Sequence, residues 1–201
     1  MPPARVDGSW MTNVAAEPTA NDVAATAPAV WDEEGFRAVV ETHSSRLFSL
    51  AYRMMGNAQD AEDLVQESFL RAYRSRRGFD GRASVTTWLC RICTNAALDQ
   101  LRRRRTRPQP AADPEEGASW AESLTAPGAS PERLMFSREL RTRVHAAMAA
   151  LSPKERAAFV LRHYEGLSIE EIGTALGLRT AATKNTIFRG VRKLRALLEG
   201  L

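Results

Sequence analysis

Apolar residues recur at helical spacing through the first half of the chain. From Phe36 they return every three or four positions until Gly56, and glycine is a common residue at the end of a helix. A second helical period extends to about Arg76, and a third begins near Ser84 and reaches the four consecutive arginines at 102–105. The pattern predicts three helices that pack around one apolar core.

The second half of the chain is helical again, and its helix starts are well marked. One helix is predicted over residues 133–151. Ser152 and Ser168 are each followed three residues later by a glutamate, which is the spacing of a capping box. Gly177 supplies a turn, and a long last helix is predicted over residues 180–198. No segment alternates apolar and polar residues as a strand does, so the predicted fold class is all-α.

Composition divides the chain into four segments. Residues 1–30 are rich in Ala, Pro, Thr and Asn and have no apolar period, which is typical of a disordered tail. Residues 106–131 contain prolines and glycines without a period, and we interpret them as a flexible linker. Two small helical domains are therefore predicted, over residues 31–105 and 132–201.

Charge is distributed unevenly along the chain, although the total is only +4. The two predicted domains carry +3 and +6, whereas the tail carries −2 and the linker −3. Two basic helical blocks joined by an acidic connector indicate two nucleic-acid-binding modules on a tether.

One helix face in the first domain is acidic. At about 100° per residue, Asp60, Asp63 and Glu67 share a narrow stripe, while the apolar residues of the same helix lie on another. We therefore expect the acidic stripe to face outward. Phosphates repel carboxylates, so the stripe favours a basic protein surface as its partner rather than DNA. The alternative is an ordinary solvated helix face.

The last two predicted helices have the layout of a helix-turn-helix. The face of the last helix opposite its apolar residues is small and basic, which suits entry into the DNA major groove. Asn185 suits a bidentate contact to adenine, and Arg189 suits guanine or phosphate. Lys193, Arg192 and Arg195 are placed to hold phosphates. The alternative is a helical hairpin whose basic face is simply solvated.

The sequence carries no catalytic or metal-binding pattern. There is no P-loop and no HExxH pair, and the three histidines are scattered over different predicted helices. Cys90 and Cys93 form one CxxC pair without further ligands, which makes a poor zinc site. We expect both thiols to be buried on one helix face, with a redox role as the alternative. The sequence predicts a protein that is not an enzyme and uses no metal or cofactor.

No apolar run approaches the roughly 18 residues that are needed to cross a bilayer, and the N-terminus lacks the pattern of a signal peptide. We therefore expect a cytoplasmic protein without membrane insertion. The run of arginines would also suit RNA, but no aromatic stacking platform accompanies it.

Several recognisable motifs follow one another along the chain. In the first domain they are Asp60-Ala-Glu-Asp-Leu-Val-Gln-Glu67, Thr87-Trp-Leu89, Thr94-Asn-Ala96 and the arginine run. In the second domain they are Leu151-Ser-Pro-Lys-Glu-Arg156, Glu170-Glu-Ile-Gly173 and Leu176-Gly-Leu178. The ordered set resembles regions 2 and 4 of bacterial sigma factors, over about residues 33–105 and 132–200. Because no region 3 domain lies between them, the chain is similar to the extracytoplasmic-function (ECF) group of the sigma-70 family.

The resemblance implies a region 2 helical bundle and a region 4 helix-turn-helix, which together direct core RNA polymerase to promoters. It implies core-polymerase binding by Asp60, Asp63, Leu64, Gln66 and Glu67. It implies recognition and opening of the −10 element by Phe79, Arg82, Thr87, Trp88, Arg91, Asn95 and Arg102. It implies recognition of the −35 element by Arg179, Thr180, Ala181, Ala182, Lys184, Asn185, Phe188, Arg189 and Arg192. The implied partners are core RNA polymerase, promoter DNA and an anti-sigma factor.

The recognition helix departs from the family pattern. The family usually has Val, Ser and Arg where this chain has Thr183, Asn185 and Thr186, and it often has Arg where this chain has Val191. The −35 preference of better-known members therefore cannot be carried over. A stand-alone helix-turn-helix regulator that binds DNA as a dimer is the alternative function, but it would leave the acidic stripe and the whole first domain unexplained.

Overall fold

The computed structural model describes residues 32–106 and 131–199, and within these ranges it contains seven α-helices and no strand. The helices are α1 (Glu33–Met55), α2 (Ala58–Ser75), α3 (Val85–Thr106), α4 (Pro131–Ala149), α5 (Pro153–His163), α6 (Ile169–Leu176) and α7 (Thr180–Leu198). A 3₁₀ turn, Arg76–Gly78, follows α2. The predicted all-α class is confirmed. The predicted tail lies outside the described residues. The predicted linker does so too, apart from residues 106 and 131 at its ends.

Helices α1, α2 and α3 form an N-terminal module around one apolar core. Leu50, Met54, Leu64 and Leu89 are almost completely buried in it. The glycine predicted to end the first helix does so: Gly56 has a φ of 88°, in the left-handed region that favours glycine, and its N–H donates to the Tyr52 carbonyl at 2.8 Å.

Helices α4 to α7 form a C-terminal module, and both predicted capping boxes are present in it. Ser152 and Ser168 accept hydrogen bonds from the backbone N–H groups of the glutamates three residues later, and each glutamate side chain accepts from the serine N–H in return. Gly177 ends α6 with a φ of 63° and turns the chain into α7. The helix-turn-helix predicted from the sequence is therefore confirmed as a local fold.

The turn of the helix-turn-helix depends on a close approach at Gly173. A Cβ atom built at this position would lie only 2.8 Å from the carbonyl oxygen of Leu178 and 3.1 Å from Oγ1 of Thr183. The Leu178 N–H donates to the Gly173 carbonyl at 2.8 Å, which closes the turn. Glycine at this point lets the turn pack directly against α6.

The two modules pack against each other through an apolar cluster that contains residues of both and through partly buried polar contacts. Arg46 of α1 donates to the carboxylate of Glu165 at 2.8 Å, and the Glu165 side chain is only 3% exposed. Arg156 of α5 donates to the Met54 carbonyl at 2.7 Å, and Nε2 of His145 lies 2.8 Å from the Gly56 carbonyl oxygen. These contacts define the module interface. Sequence periodicity predicted two separate domains and gave no sign of this interface.

Candidate nucleic-acid and protein interfaces

Part of the acidic stripe on α2 faces solvent as predicted. Asp63 and Gln66 are exposed, and the Glu67 side chain is 45% exposed while it accepts a hydrogen bond from Nε of Arg71 at 2.7 Å. Arg71 also lies 3.6 Å from Asp99 of α3, so it is held between two carboxylates. The Glu67 carboxylate is therefore held on the surface of α2 by Arg71.

Asp60 does not belong to the outward face, and the prediction that it points to solvent is wrong. It is only 8% exposed, and its carboxylate accepts two hydrogen bonds from the guanidinium of Arg104, one of them at 2.5 Å. The Asn57 side chain donates to it as well. The bond from Arg104 is the largest cause that holds the pKa of Asp60 below its ordinary value, and burial opposes it. Asp60 thus ties the start of α2 to the end of α3.

Leu64 is also unavailable to a partner, because it is 2% exposed and packs inside the N-terminal module. The resemblance implied a contact that its burial rules out. Leu70 and Tyr73, one and two turns further along α2, are 51% and 38% exposed and were not predicted as site residues. Their helical spacing from Gln66 could have revealed them. We define the docking face as Asp63, Gln66, Glu67, Leu70 and Tyr73.

Replacing Asp60 by asparagine should lower the free energy of unfolding by about 2 kcal/mol at neutral pH, because Arg104 loses its partly buried carboxylate partner. Since the folded pKa of Asp60 is depressed, its contribution is present above the unfolded pKa of about 4 and is lost as the pH falls through the folded pKa. Urea unfolding at about pH 7 and about pH 2 measures both effects. The difference between the Asp60→Asn and wild-type proteins should shrink in acid. A difference as large in acid as at neutral pH would contradict the ion pair.

The predicted −10 residues fall into exposed and covered groups. Trp88 is only 6% exposed, with its ring centroid 5.2 Å from that of Phe79, so its predicted direct contact with DNA is not available in this arrangement. Arg82 is 88% exposed and lies 3.2 Å from Asp80 in the preceding loop. The loop therefore exposes Arg82, while the partly buried Phe79 packs beside Trp88 of α3.

Helix α3 carries the remaining −10 residues on two sides. Arg91 and Asn95 are exposed, as is Arg102, which donates to Asp99 at 2.9 Å. Thr87 instead turns toward the C-terminal module, where its hydroxyl donates to the Glu171 carboxylate at 3.2 Å. The exposed face of α3 agrees with the prediction, whereas Thr87 takes part in the module interface.

All nine residues predicted to recognise the −35 element are exposed on or next to α7. Phe188 is the most prominent apolar side chain among them, at 64% exposure. Thr183 and Thr186, where the chain departs from the family, are buried, and their hydroxyls donate to the backbone carbonyls of Arg179 and Ala182. The departures at Thr183 and Thr186 therefore affect packing, Val191 is half-buried, and the departure at Asn185 changes the exposed face.

The exposed face of α7 lines a cleft of about 780 Å³ together with the end of α3. Leu98, Leu101 and Arg102 lie on one side, and Phe188 and Arg189 lie on the other. Of the residues predicted to read the −10 element, Arg102 lines this cleft, together with Ala182, Asn185, Phe188 and Arg189 of the set predicted to read the −35 element.

The two cysteines are buried, as predicted. Burial raises the pKa of Cys93 to about 12 and the pKa of Cys90 well above its ordinary value. Sγ of Cys90 lies 3.7 Å from the Glu165 carboxylate at the module interface. Residues 32–106 and 131–199 contain no group of three or more metal-ligating side chains placed to hold an ion, and no helix in them is long and apolar enough to cross a membrane.

These features define a class of protein: an all-α chain in which one module exposes an acidic helix face and the other exposes a helix-turn-helix. Two family models match it, Sigma-70 region 2 over residues 39–107 and Sigma-70, region 4 over residues 141–194. Together they cover more than half of the chain. The chain belongs to the ECF group of the sigma-70 family of RNA polymerase sigma factors.

Curated relatives match most of the chain. It is 34% identical over 174 residues to the ECF RNA polymerase sigma factor SigW of Bacillus subtilis, an alignment that covers 85% of this chain and 92% of SigW. It is 40% identical over 168 residues to the ECF RNA polymerase sigma factor SigE of Mycolicibacterium smegmatis, with 84% of this chain and 61% of that protein covered.

Solved structures share the fold. RpoE of Bartonella quintana, in complex with the anti-sigma factor NepR, has a TM-score of 0.61 at 19% identity and covers 83% of this chain and 98% of that one. CnrH, in complex with the cytosolic domain of CnrY, has a TM-score of 0.57 at 25% identity and covers 84% of this chain and 90% of that one.

The protein is a promoter-directing sigma factor, and its family initiates transcription without being an enzyme. The alternative of a stand-alone regulator is not favoured, because the relatives match both modules and not the helix-turn-helix alone.

Proposed function

We propose that the docking face of α2 binds core RNA polymerase and that α3 and α7 then recognise the −10 and −35 elements. The observation that carries this proposal is the presence, on one chain, of an exposed acidic docking face and an exposed recognition helix whose nine predicted residues all reach solvent. The acidic face suits a basic protein surface, and α7 suits the major groove. Both activities belong in the cytoplasm, with the polymerase.

Recognition of both elements requires the modules to separate. The two elements are about 25 base pairs apart, which corresponds to about 85 Å of duplex at about 3.4 Å per base pair. The longest helix of the chain, α1, has 23 residues and is about 34 Å long. The end of α3 and the exposed face of α7 border one cleft, so the two helices reach elements this far apart only when the module interface opens.

An anti-sigma factor is the regulatory partner that we propose. RpoE was solved with the anti-sigma factor NepR, and CnrH with the cytosolic domain of CnrY. A protein that stabilises the packed arrangement of the two modules would prevent α3 and α7 from contacting both elements at once, because the end of α3 and the exposed face of α7 border one cleft.

Run-off transcription with core polymerase tests the proposed function. The full chain should produce transcripts from its promoters that core polymerase alone does not. Asn185→Ala should reduce the yield by about tenfold, because one good side-chain contact to a base is worth about 1–3 kcal/mol. Leu197→Ala is the matched control, since Leu197 is 54% exposed on the same helix but lies outside the predicted recognition face.

Two results would contradict the proposal. One is a chain that gives no transcript on any promoter of a genome-wide template set. The other is tight binding of the free chain to promoter duplex without polymerase, which is the behaviour of a stand-alone regulator.

A further inference from the structure

One carboxylate lies directly beneath the basic recognition helix. The Glu155 side chain is only 6% exposed, although it belongs to the first turn of α5, where most charged residues are solvated. Its Oε2 accepts a hydrogen bond from Nζ of Lys193 at 2.7 Å, and its Oε1 lies 3.9 Å from Nε of Arg189. Two cations of α7 therefore converge on one buried carboxylate.

The backbone of α7 passes close to Glu155. Arg189 and Lys193 are four residues apart, so they lie on one side of α7. Gly190 stands between them, and a Cβ atom there would lie 3.3 Å from the Glu155 carbonyl oxygen. The absence of a side chain at this point lets α7 lie close enough to α5 for the carboxylate to reach both cations.

Glu155 is negatively charged at neutral pH. Burial alone would raise its pKa, but hydrogen bonds from Lys193 and from Ser152 outweigh burial and hold the pKa below its ordinary value. The Ser152 N–H donates to it at 3.1 Å as part of the capping box. The carboxylate thus serves the helix cap and the recognition helix at once.

The cations that it holds are not equivalent for DNA binding. A lysine on a recognition helix that reaches a phosphate strengthens binding to every sequence equally. An arginine held in a fixed orientation can instead present its fork to a base edge, which discriminates between sequences. A carboxylate that engages the lysine and lies beside the arginine therefore favours discrimination over general affinity.

We propose that Glu155 is a positioning residue that determines the specificity of −35 recognition. It withdraws Lys193 from the phosphates and lies beside Arg189, which is left to contact bases. The part of the inference that concerns −35 specificity rests on the proposed function. The part that concerns Lys193 does not, because phosphates are present in DNA of any sequence. It replaces the expectation from the sequence that Lys193 is itself a phosphate contact.

The first experiment uses the full chain and a duplex without promoter elements, so it does not depend on polymerase. Dissociation constants are measured over a salt series for wild type, Glu155→Gln, Lys193→Met and the double variant. Glutamine keeps the capping box. Glu155→Gln should bind up to about tenfold more tightly at about 0.1 M salt, with a salt slope steeper by about one, because Lys193 becomes free to contact a phosphate. The double variant should return to the wild-type slope.

Lys193→Met alone should leave the slope unchanged. A slope reduced by about one in this variant would show that Lys193 already contacts phosphate and would overturn the inference. Glu199→Gln is the matched control for net charge, because Glu199 is an exposed carboxylate at the end of the same helix. If Glu199→Gln gave the same gain as Glu155→Gln, general charge and not the contact would explain the result, and the inference would fail.

The second experiment uses holoenzyme on a promoter with an intact or a scrambled −35 element. Glu155→Gln should reduce the ratio of the two affinities by about tenfold. If the variant instead lost affinity for both templates equally and unfolded at a lower urea concentration, Glu155 would act only in folding and the inference would fail. If wild-type holoenzyme does not discriminate, the proposed function fails while the salt series still decides the role of Lys193. If wild type discriminates and the variant does so equally, only the inference fails.

Discussion

A chain that carries both Asp63→Lys and Glu67→Lys should lose more than about 100-fold in affinity for core RNA polymerase while its helical content stays unchanged. Both residues lie on the docking face and reach solvent, so the substitutions place two positive charges against a basic surface. Like charges facing each other across an interface cost several kcal/mol. The free energy of unfolding should change little, because the ion pair that breaks is the half-exposed one between Glu67 and Arg71.

Affinity is best measured by fluorescence anisotropy with labelled full chain and purified core polymerase. The matched control carries Glu41→Lys and Glu62→Lys, which make the same change in net charge at exposed positions outside the docking face. The control should bind within about threefold of wild type, because the reversed charges remain surrounded by water. Equal loss in the two double variants would show that net charge governs binding, and wild-type affinity in the first would return the face to an ordinary solvated surface.

The second large effect is expected at Gly173, where alanine should destabilise the C-terminal module by about 3 kcal/mol. In most helix interiors the same change is stabilising by up to about 1 kcal/mol. Here the new methyl group would lie 2.8 Å from the backbone oxygen of Leu178, and a backbone atom cannot move aside as a flexible side chain can. The turn would have to open, and α7 would shift with it, so −35 recognition should fall as well.

Urea unfolding followed by circular dichroism measures this change. Gly78→Ala is the matched control, because Gly78 is exposed and a Cβ atom there would have no neighbour within 4 Å. Its effect should stay within about 0.5 kcal/mol. A Gly173→Ala protein as stable as wild type would mean that the turn relaxes freely and that the close approach has no role.

Local signals were sufficient to predict most of the helices. The capping boxes at Ser152 and Ser168 join residues only three positions apart, so their geometry follows from the chain's own sequence. The same is true of the end of α1, where Gly56 supplies a backbone conformation that other residues rarely adopt. The exposed face of α7 also followed from spacing, because its buried face is marked by apolar residues.

Contacts between distant segments could not be predicted in this way. A helical wheel places Asp60 in line with Asp63 and Glu67, but Arg104 reaches Asp60 from a helix 44 residues further along. The pair formed by Arg46 and Glu165 spans 119 residues. Periodicity describes each helix by itself and contains no information on which polar residue of another helix it meets.

The family resemblance implied a role for each matched residue but did not predict which of these side chains are exposed. Leu64 and Trp88 belong to motifs that the family uses at its interfaces, yet both are buried here. For Glu155 the sequence instead failed to predict a contact that the structure contains. The capping box accounted for it fully in the sequence, so nothing indicated that its carboxylate also holds Lys193.

The position of the docking face has a consequence for the order of assembly. Helix α2 packs on α1 and α3, and its Asp63, Gln66 and Leu70 stay exposed while the module interface is formed. Under the proposed function, polymerase can therefore capture the chain through this face before the modules part, whereas promoter DNA engages both α3 and α7 only after they have. Capture then becomes the committing step. Promoter occupancy in the cell would then follow the number of polymerase-bound molecules.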